Sequence, residues 1–490
     1  MIYKFKFENY IYFLAIIIYF LTAFFSIGYF NADEHYQIIE FAGLLDGTTT
    51  PTDLPWEYER KIRPAIQPIL TYIIFEVLSF FSLTDPYIKT FILRLITALV
   101  SIIIIIFFTK SCQKFLSPKN WKLFLLLSFF LWFLPFINIR FSSETWSGLL
   151  FLLSIAIILN DKNNHYKFAL IGLIIGFSFL FRYQIAFAVF GIFLWLIFIK
   201  REQISKIVVF SIGFLCILFL GFLIDSWFYN EWTFTTYNYF NVNIIEDKAS
   251  EFGVSPWYNY ILLVLIFSFA PFGIIILATI TLFVNKNHKS LITWAIVPFF
   301  IIHSMVAHKE IRFLFPIINF VPFIIVKAFE DSIFKMNWYK KNKKIIYKIF
   351  IFLFVINIFC LGFASFRPVG KGRAGIVEKI HYLNNKPNLN IFITKDYNPK
   401  YRWLLNSNFY KEENANFINI DTLSLSKISF EKNETRNVLI TSINDIEEDQ
   451  IKKIIKQMKM KEITKTFPSF SFHLFKKINM GDKVFLLYSD

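Results

Sequence analysis

Long apolar runs separated by short polar connections dominate the chain from Leu14 almost to Phe363, and each run is of helix-spanning length. After Phe366 the texture changes. Short β-like runs appear at Asn390 to Thr394, Asn437 to Thr441 and Lys483 to Ser489, and a helix-like segment, Asp445 to Met458, carries acids in its first turn and lysines later, as the helix dipole favours. The pattern predicts an α-helical integral membrane domain over residues 1–366 and a small α/β domain over 367–490.

Composition agrees: of 490 residues 56% are hydrophobic, 20% aromatic and only 18% charged, which excludes an ordinary water-soluble domain of this size. No small-residue cleavage site follows the first apolar run, so it is expected to stay as a span rather than act as a cleavable signal. Cys112, Cys216 and Cys360 are scattered, which supports neither a disulfide framework nor a thiolate metal site. The formal net charge of +16 raises nucleic acid as a partner, and the location of the charges argues against it.

Lys and Arg concentrate in short cytoplasmic loops of membrane proteins. The basic stretches are Lys4 and Lys6; Lys110, Lys114, Lys119 and Lys122; Lys162 and Lys167; Lys200, Arg201 and Lys206; Lys286 and Lys289; and Lys335 through Lys348. With these inside, the opposite face receives the connections near 31–65, 138–146, 182–184, 226–256 and 304–312, and everything after about 367. About eleven spans result, with the amino terminus inside and the α/β domain outside.

Two stretches strain this count. Ile62 to Leu83 is long enough to span, yet a span there would put the Lys110 to Lys122 loop outside, so Pro64 to Leu83 is expected to lie at the outer interface as an amphipathic helix with Glu76 on its polar side. Phe168 to Ile199 is too long for one comfortable span and is interrupted by Arg182-Tyr183-Gln184. Two short helices meeting there preserve the alternation, and a single tilted helix with one paired arginine is the alternative. No internal repeat of the kind that marks many transporters is visible.

Ionisable groups at a bilayer cost several kcal/mol unless paired or wet, so their clustering hints at function. Here they gather on the outer connections: Asp33-Glu34-His35, Trp56-Glu57-Tyr58-Glu59-Arg60 and Arg63, then Arg140 and Glu144, Arg182 and Gln184, Asp225 through Tyr239, and His308-Lys309-Glu310-Ile311-Arg312. This describes a reaction chamber opening on one face. A carboxylate after the first span suits proton removal from an acceptor hydroxyl, and later basic groups suit a departing phosphate, the requirements of group transfer from a lipid phosphate.

Asn31-Ala32-Asp33-Glu34-His35-Tyr36-Gln37, followed by Pro55-Trp56-Glu57-Tyr58 and Arg63-Pro64, resembles the first outer loop of glycosyltransferase family 22, the lipid-phosphate-mannose-dependent α-mannosyltransferases. Arg140-Phe141-Ser142-Ser143-Glu144, Asp225-Ser226-Trp227-Phe228-Tyr229, Ser255-Pro256-Trp257 and His308 to Phe313 are similar to its other motifs in the same order, over most of residues 10 to 320. The family's usual His-Pro before the acid pair is Asn31-Ala32 here, and Tyr58 stands where it usually has tryptophan. The resemblance implies a GT-C fold, inverting and metal-independent transfer from a polyprenyl- or dolichyl-phosphate-linked mannose, and a catalytic acid in the first outer loop.

Asp33 is the expected general base, with Glu34 as its rival. The structural alternative is that Asp33 caps a helix starting near Glu34. His308, Lys309 and Arg312 are the expected donor-phosphate ligands, against a solvated charged loop, and Arg182 with Gln184 either lines the same chamber or pairs with a carboxylate to hold helices together. Trp56, Glu57 and Tyr58 are expected to shape the acceptor side, and Glu144 either positions the acceptor or pairs with Arg140. His35 beside two acids suggests a metal, but no second ligand cluster has suitable spacing, and no cofactor is expected. The expected protein is thus a glycosyltransferase in the bilayer, taking a hexose from an isoprenoid-phosphate donor to an extracytoplasmic glycan or glycolipid, without nucleic acid. Its Phe-, Ile-, Asn- and Lys-rich composition leans towards a bacterial inner membrane over an endoplasmic reticulum. A lipid-linked saccharide flippase and an oligosaccharide ligase or polymerase are the competing classes.

Overall fold

The computed structural model describes residues 7–160, 164–369, 373–393, 407–412, 414–420, 434–467, 469–477 and 485–490; Lys4, Lys6 and Lys162 of the basic stretches, and Thr394 and Lys483 at the ends of two expected strands, lie outside them. Two compact units are present. One comprises Met1–Ser26, Thr50–Leu83 and Lys89–Arg367, the other Ile27–Thr49, Thr84–Ile88 and Pro368–Asp490.

The first unit is helical and belongs in a membrane. Among the described residues, Phe7–Phe25, Pro86–Phe115, Ile204–Phe228, Ile311–Lys335 and Lys343–Ser365 are long and apolar enough to cross a bilayer, and six shorter apolar helices accompany them. Large side chains on the outer faces, such as Phe219 and Phe359, point away from the protein at 62% and 74% exposure, as lipid contact requires. Phe108, Phe124, Phe151, Phe320 and Phe323 instead interlock edge to face in the core. Close crossings depend on small residues. A Cβ at Gly172 would stand 2.1 Å from the Phe210 carbonyl oxygen of the neighbouring helix.

The helix expected at the interface runs Ile66–Phe80, only 15 residues, with Gln67, Thr71 and Phe75 turned inward and Ile73, Val77 and Phe80 outward. The long stretch around Arg182 resolves into His165–Phe181 and Tyr183–Ile199. Arg182 takes an extended backbone (φ −151°, ψ 107°) that ends the first helix, so a single tilted helix is excluded.

The second unit carries a five-stranded sheet ordered β2-β1-β3-β5-β4, from β1 (Asn388–Ile393), β2 (Ala415–Asn419), β3 (Thr435–Ser442), β4 (Lys461–Lys465) and β5 (Phe485–Ser489). β1 pairs parallel with β2 and β3, and β5 antiparallel with β3 and β4. The three strands expected from the sequence are the inner ones, whose apolar residues are mostly buried; β2 and β4 are short edges none of whose described side chains is buried, and they leave little periodic signal. The expected Asp445 to Met458 helix is a 3₁₀ turn, Asp445–Glu447, and an α-helix, Asp449–Gln457. A further helix, Ala374–Leu383, buries Ala374, Ile376, Val377 and Ile380 in a cluster that includes Tyr29, Tyr36 and Tyr87.

His381 on that helix lies between Glu412 (Nδ1 to Oε1, 2.6 Å) and Asp85 (Nε2 to Oδ2, 3.1 Å). The Glu412 hydrogen bond, reinforced by Asp85 and only partly opposed by burial, raises the imidazole pKa above its ordinary 6.5; burial of Glu412 is outweighed by His381 and Asn384, which hold its carboxyl below the ordinary 4.5. The imidazole contribution to stability is complete below pH 6.5 and is lost as pH rises through the higher folded-state value. The Glu412 contribution is present above pH 4.5 and is lost as pH falls through its lower one. Amide-exchange protection of Ala374–Leu383 is therefore expected to be greatest between these values and to weaken above pH 6.5; in His381→Gln the weakening on the alkaline side should vanish.

Candidate functional site

Arg182 and Arg312 of the first unit converge on Glu144. Ser142 caps the Ser143–Leu159 helix by accepting from the Thr145 N–H, which sets Glu144 in the first turn, where the helix dipole favours a carboxylate. Glu144 is buried at 2% exposure, and its Oε1 meets Arg182 Nη2 at 3.4 Å and Arg312 Nη1 at 3.3 Å. The break after Phe181 that places Arg182 at a helix end is what delivers its guanidinium there. Arg182 also donates from Nε to Gln184 Oε1 (2.5 Å), and Gln184 donates to the Tyr239 hydroxyl (2.9 Å).

Arg312 reaches the cluster from a ten-residue 3₁₀ segment, Ile311–Phe320, an unusually long run of that geometry with Pro316 inside it. It also holds Glu310 bidentately, Nε to Oε2 and Nη2 to Oε1, both 2.9 Å. Both guanidinium groups lie over the Phe313 ring, at 5.3 Å for Arg182 and 5.2 Å for Arg312. Two cations thus share one buried carboxylate, and Glu310 on Arg312 brings the group to two positive and two negative charges.

Gly148, one turn beyond Glu144, sets this spacing. A Cβ there would stand 2.7 Å from Pro316 Cα and 2.9 Å from the Pro316 carbonyl oxygen. Gly148→Ala is expected to push the Ile311–Phe320 segment away, to cost about 1–3 kcal/mol of stability, and to weaken whatever Arg312 binds. Thermal unfolding of the purified variant in detergent checks the first effect.

His308 Nε2 faces Glu310 Oε1 at 3.1 Å, at the outer side of the same group. Lys309 is buried, with Nζ donating to the carbonyls of Ser255 (2.9 Å) and Val306 (2.5 Å), and burial pulls its pKa below the ordinary lysine value. Its ammonium therefore braces the loop on Ser255. Arg140 is buried against Phe136 and donates from Nη2 to the Ser26 carbonyl at 2.6 Å. The pairing of Arg140 with Glu144 entertained from the sequence is not formed, because the two arginines from later in the chain take that carboxylate.

Trp56, Glu57 and Tyr58 sit in a neighbouring group of the same unit. Trp56 stacks on Phe252 (5.9 Å), Glu57 accepts from Arg63 Nη2 (3.4 Å), and Tyr58 packs on Tyr229 (5.4 Å), whose hydroxyl donates to the Arg63 carbonyl (2.8 Å). Asp225 ties this loop to the fourth outer connection, accepting from the Ala65 N–H at 2.7 Å and from the Thr235 hydroxyl.

Asp33 and Glu34 belong to the second unit. The helix there is Asp33–Tyr36 with Ala32 as its N-cap, so Asp33 occupies the first helical position and is not the cap. Glu34 Oε2 accepts from the Phe30 N–H at 3.2 Å, folded back on its own loop. His35 is buried and shares a contact of 2.8 Å with Glu40, which also accepts from Thr49 (3.1 Å) and the Phe409 N–H (3.3 Å). Burial of Glu40 is outweighed by these hydrogen bonds, His35 first, and its carboxyl is held below the ordinary range. The ring stacks on Tyr410 at 5.5 Å, which makes His35 part of the loop's packing. Phe313, Tyr239, Glu40 and Gly148 had no role assigned from the sequence; Phe313 stood beside Arg312 in a motif and Tyr239 closed the polar stretch that begins at Asp225, whereas Glu40 and Gly148 carried no signal.

The architecture is similar to that of ArnT from Cupriavidus metallidurans bound to undecaprenyl phosphate, with a TM-score of 0.54 at 10% identity over 98% of this chain and 97% of that one. That likeness defines the GT-C glycosyltransferase fold. Residues 10–398 match the Alg9-like mannosyltransferase family model, and the chain belongs to that family. It is 27% identical to GPI mannosyltransferase 3 of Debaryomyces hansenii over 74% of its length, and 28% identical to mannosyltransferase APTG1 of Arabidopsis thaliana over 59%. It spans 65% and 53% of those two proteins.

Proposed function

We propose that this chain is an inverting glycosyltransferase that moves a hexose, mannose, from a polyprenyl- or dolichyl-phosphate carrier to a hydroxyl of an extracytoplasmic glycan or glycolipid. The observation that carries this reading is the pair of buried guanidinium groups, Arg182 and Arg312, that the shared Glu144 holds together, so that their donors can meet a phosphate as it departs. Membership of a mannosyltransferase family and the lipid phosphate bound by ArnT support the sugar and the carrier.

Asp33 takes the proton from the acceptor hydroxyl, whose oxygen bonds to the anomeric carbon. The bond from that carbon to the carrier phosphate breaks, and its electron pair stays on the phosphate oxygen. Arg182 and Arg312 neutralise that oxygen, with His308 and Lys309 beside them. Trp56, Glu57, Tyr58 and Gln184 shape the acceptor side, and Arg140 holds its connection. Chemistry takes place on the membrane face opposite the basic loops. The named relatives come from a yeast and a plant, and nothing in them favours the bacterial inner membrane expected from composition.

The test is incubation of purified full-length protein with labelled polyprenyl-phosphate-mannose and candidate acceptors. Arg312→Ala and Arg182→Ala are expected to raise the donor KM by roughly tenfold or more, the scale of one lost charge-assisted contact. Transfer from a nucleotide sugar alone would defeat the donor assignment, and unchanged donor dependence with lower protein yield would make the arginines purely structural.

A further inference from the structure

Two side chains beside the arginine cluster end in buried polar atoms that meet no hydrogen-bond partner among the described residues, the Tyr260 hydroxyl and His303 Nε2. Both side chains are enclosed, at 1% and 3% exposure. An unpaired buried donor or acceptor is costly, and two of them at one site mark a place where a ligand completes the bonding.

Tyr260 is the one buried residue of the helix Asn259–Phe267. Just before that helix, Ser255-Pro256-Trp257 is tied to the His308 run, with the Ser255 N–H on the Ala307 carbonyl (2.9 Å) and Lys309 Nζ on the Ser255 carbonyl (2.9 Å). The tie brings the Tyr260 hydroxyl within reach of the charges of Glu310 and Arg182. His303 lies in the last turn of Leu291–Met305, edge-on to Phe187 (5.5 Å) on the helix that starts just after Arg182, and the Arg182 charge acts on its ring as well. The Tyr260 ring packs on Phe300 (6.0 Å), three residues before His303 and so a neighbour of it on the helix surface.

The bonding of each group narrows what can meet it. His303 Nδ1 is 2.8 Å from the Phe299 carbonyl oxygen, which can only accept, so Nδ1 carries the proton and Nε2 of the neutral ring is an acceptor. An ionised phosphate offers acceptors alone. It could take the Tyr260 O–H, but it would set its own lone pairs against that of Nε2. A sugar hydroxyl both donates and accepts, so a sugar can satisfy the two groups together.

We propose that Tyr260 and His303 hold hydroxyls of the sugar on the lipid-phosphate donor, next to the phosphate that Arg182 and Arg312 meet, an assignment that rests on the transfer reaction proposed above. The purified full chain is assayed with labelled polyprenyl-phosphate-mannose, and with sugar-free polyprenyl phosphate as competitor. Tyr260→Phe removes one oxygen, and His303→Phe keeps a flat ring without its nitrogens. Each is expected to lower kcat/KM for the mannosyl donor by roughly 3- to 10-fold, the scale of one hydrogen bond, with the Ki of polyprenyl phosphate within about twofold of the parent value. Arg312→Ala, by contrast, should weaken both. Because the Tyr260 hydroxyl has no protein partner to lose, Tyr260→Phe should unfold at or above the parent temperature. A set of monodeoxymannosyl donors completes the cycle: for each variant, the donor lacking the hydroxyl that it held should show no further loss.

Parent-like kcat/KM in either variant would overturn the assignment, leaving that atom to an internal water. A polyprenyl phosphate Ki that rises as much as the donor KM would also overturn it, because the group would then bind phosphate, and so would a change confined to the acceptor KM. No transfer from the mannosyl carrier by the parent chain would instead defeat the reaction on which the assignment rests.

Discussion

Asp33→Asn is expected to lower turnover by on the order of 100-fold or more, with the donor KM little changed, because the amide keeps the shape of the side chain and loses only its ability to take a proton. Two features of the loop favour Asp33 over its neighbour. Asp33 is not the cap of its short helix, so the commonest structural reason for an aspartate there does not apply, and Glu34 is turned back on the Phe30 N–H. Glu34→Gln preserves an acceptor for that hydrogen bond and should cost far less than Asp33→Asn. Turnover by radiolabelled mannose transfer, at equal amounts of folded protein, measures both. Near-normal activity in a well-expressed Asp33→Asn protein would remove Asp33 from the mechanism, and the opposite order of effects would move the base to Glu34.

Glu144→Ala should have the largest effect on stability. It leaves Arg182 and Arg312 facing each other in a buried site without the carboxylate they share, and breaking a buried ion pair by removing one partner costs about 3–5 kcal/mol. Glu144→Gln should cost less, since an amide oxygen still accepts hydrogen bonds from both guanidinium groups. Thermal denaturation of the purified variants, with and without polyprenyl phosphate, makes the comparison. If an added lipid phosphate restores part of the stability lost in Glu144→Ala, the arginines are a phosphate site that the carboxylate occupies in its absence. A variant as stable as the parent, with unaltered donor saturation, would show that Glu144 does not organise the cluster.

Much of the helical framework was legible because its cause is local. Runs of apolar residues cannot be left in water, and lysines recur on alternate connections, so the break at Arg182 and the short helix after Pro64 follow from patterns within a few tens of residues. The inner strands of the α/β unit were legible for the same reason, as contiguous buried runs. Its edge strands, Ala415–Asn419 and Lys461–Lys465, were not, because an edge needs no apolar face. The candidate site was half legible. Residue types and their restriction to alternate connections singled out Arg182, Glu144, His308 and Arg312, and a family resemblance singled out Asp33. Their pairing was not accessible, since it depends on which helix ends meet.

By itself, then, the sequence determined that this chain lies in a membrane, that its lysines recur on alternate connections, and which few ionisable groups were available on the others. Tertiary structure alone decided that Glu144 joins Arg312, 168 positions away, in preference to the nearby Arg140, that Lys309 turns to backbone carbonyls, and that His35 is bound up with Glu40. The physical reason is range. Hydrophobic periodicity is written into neighbouring residues, whereas the partner of a buried charge is chosen by helix packing, down to whether a glycine at position 148 lets two segments approach.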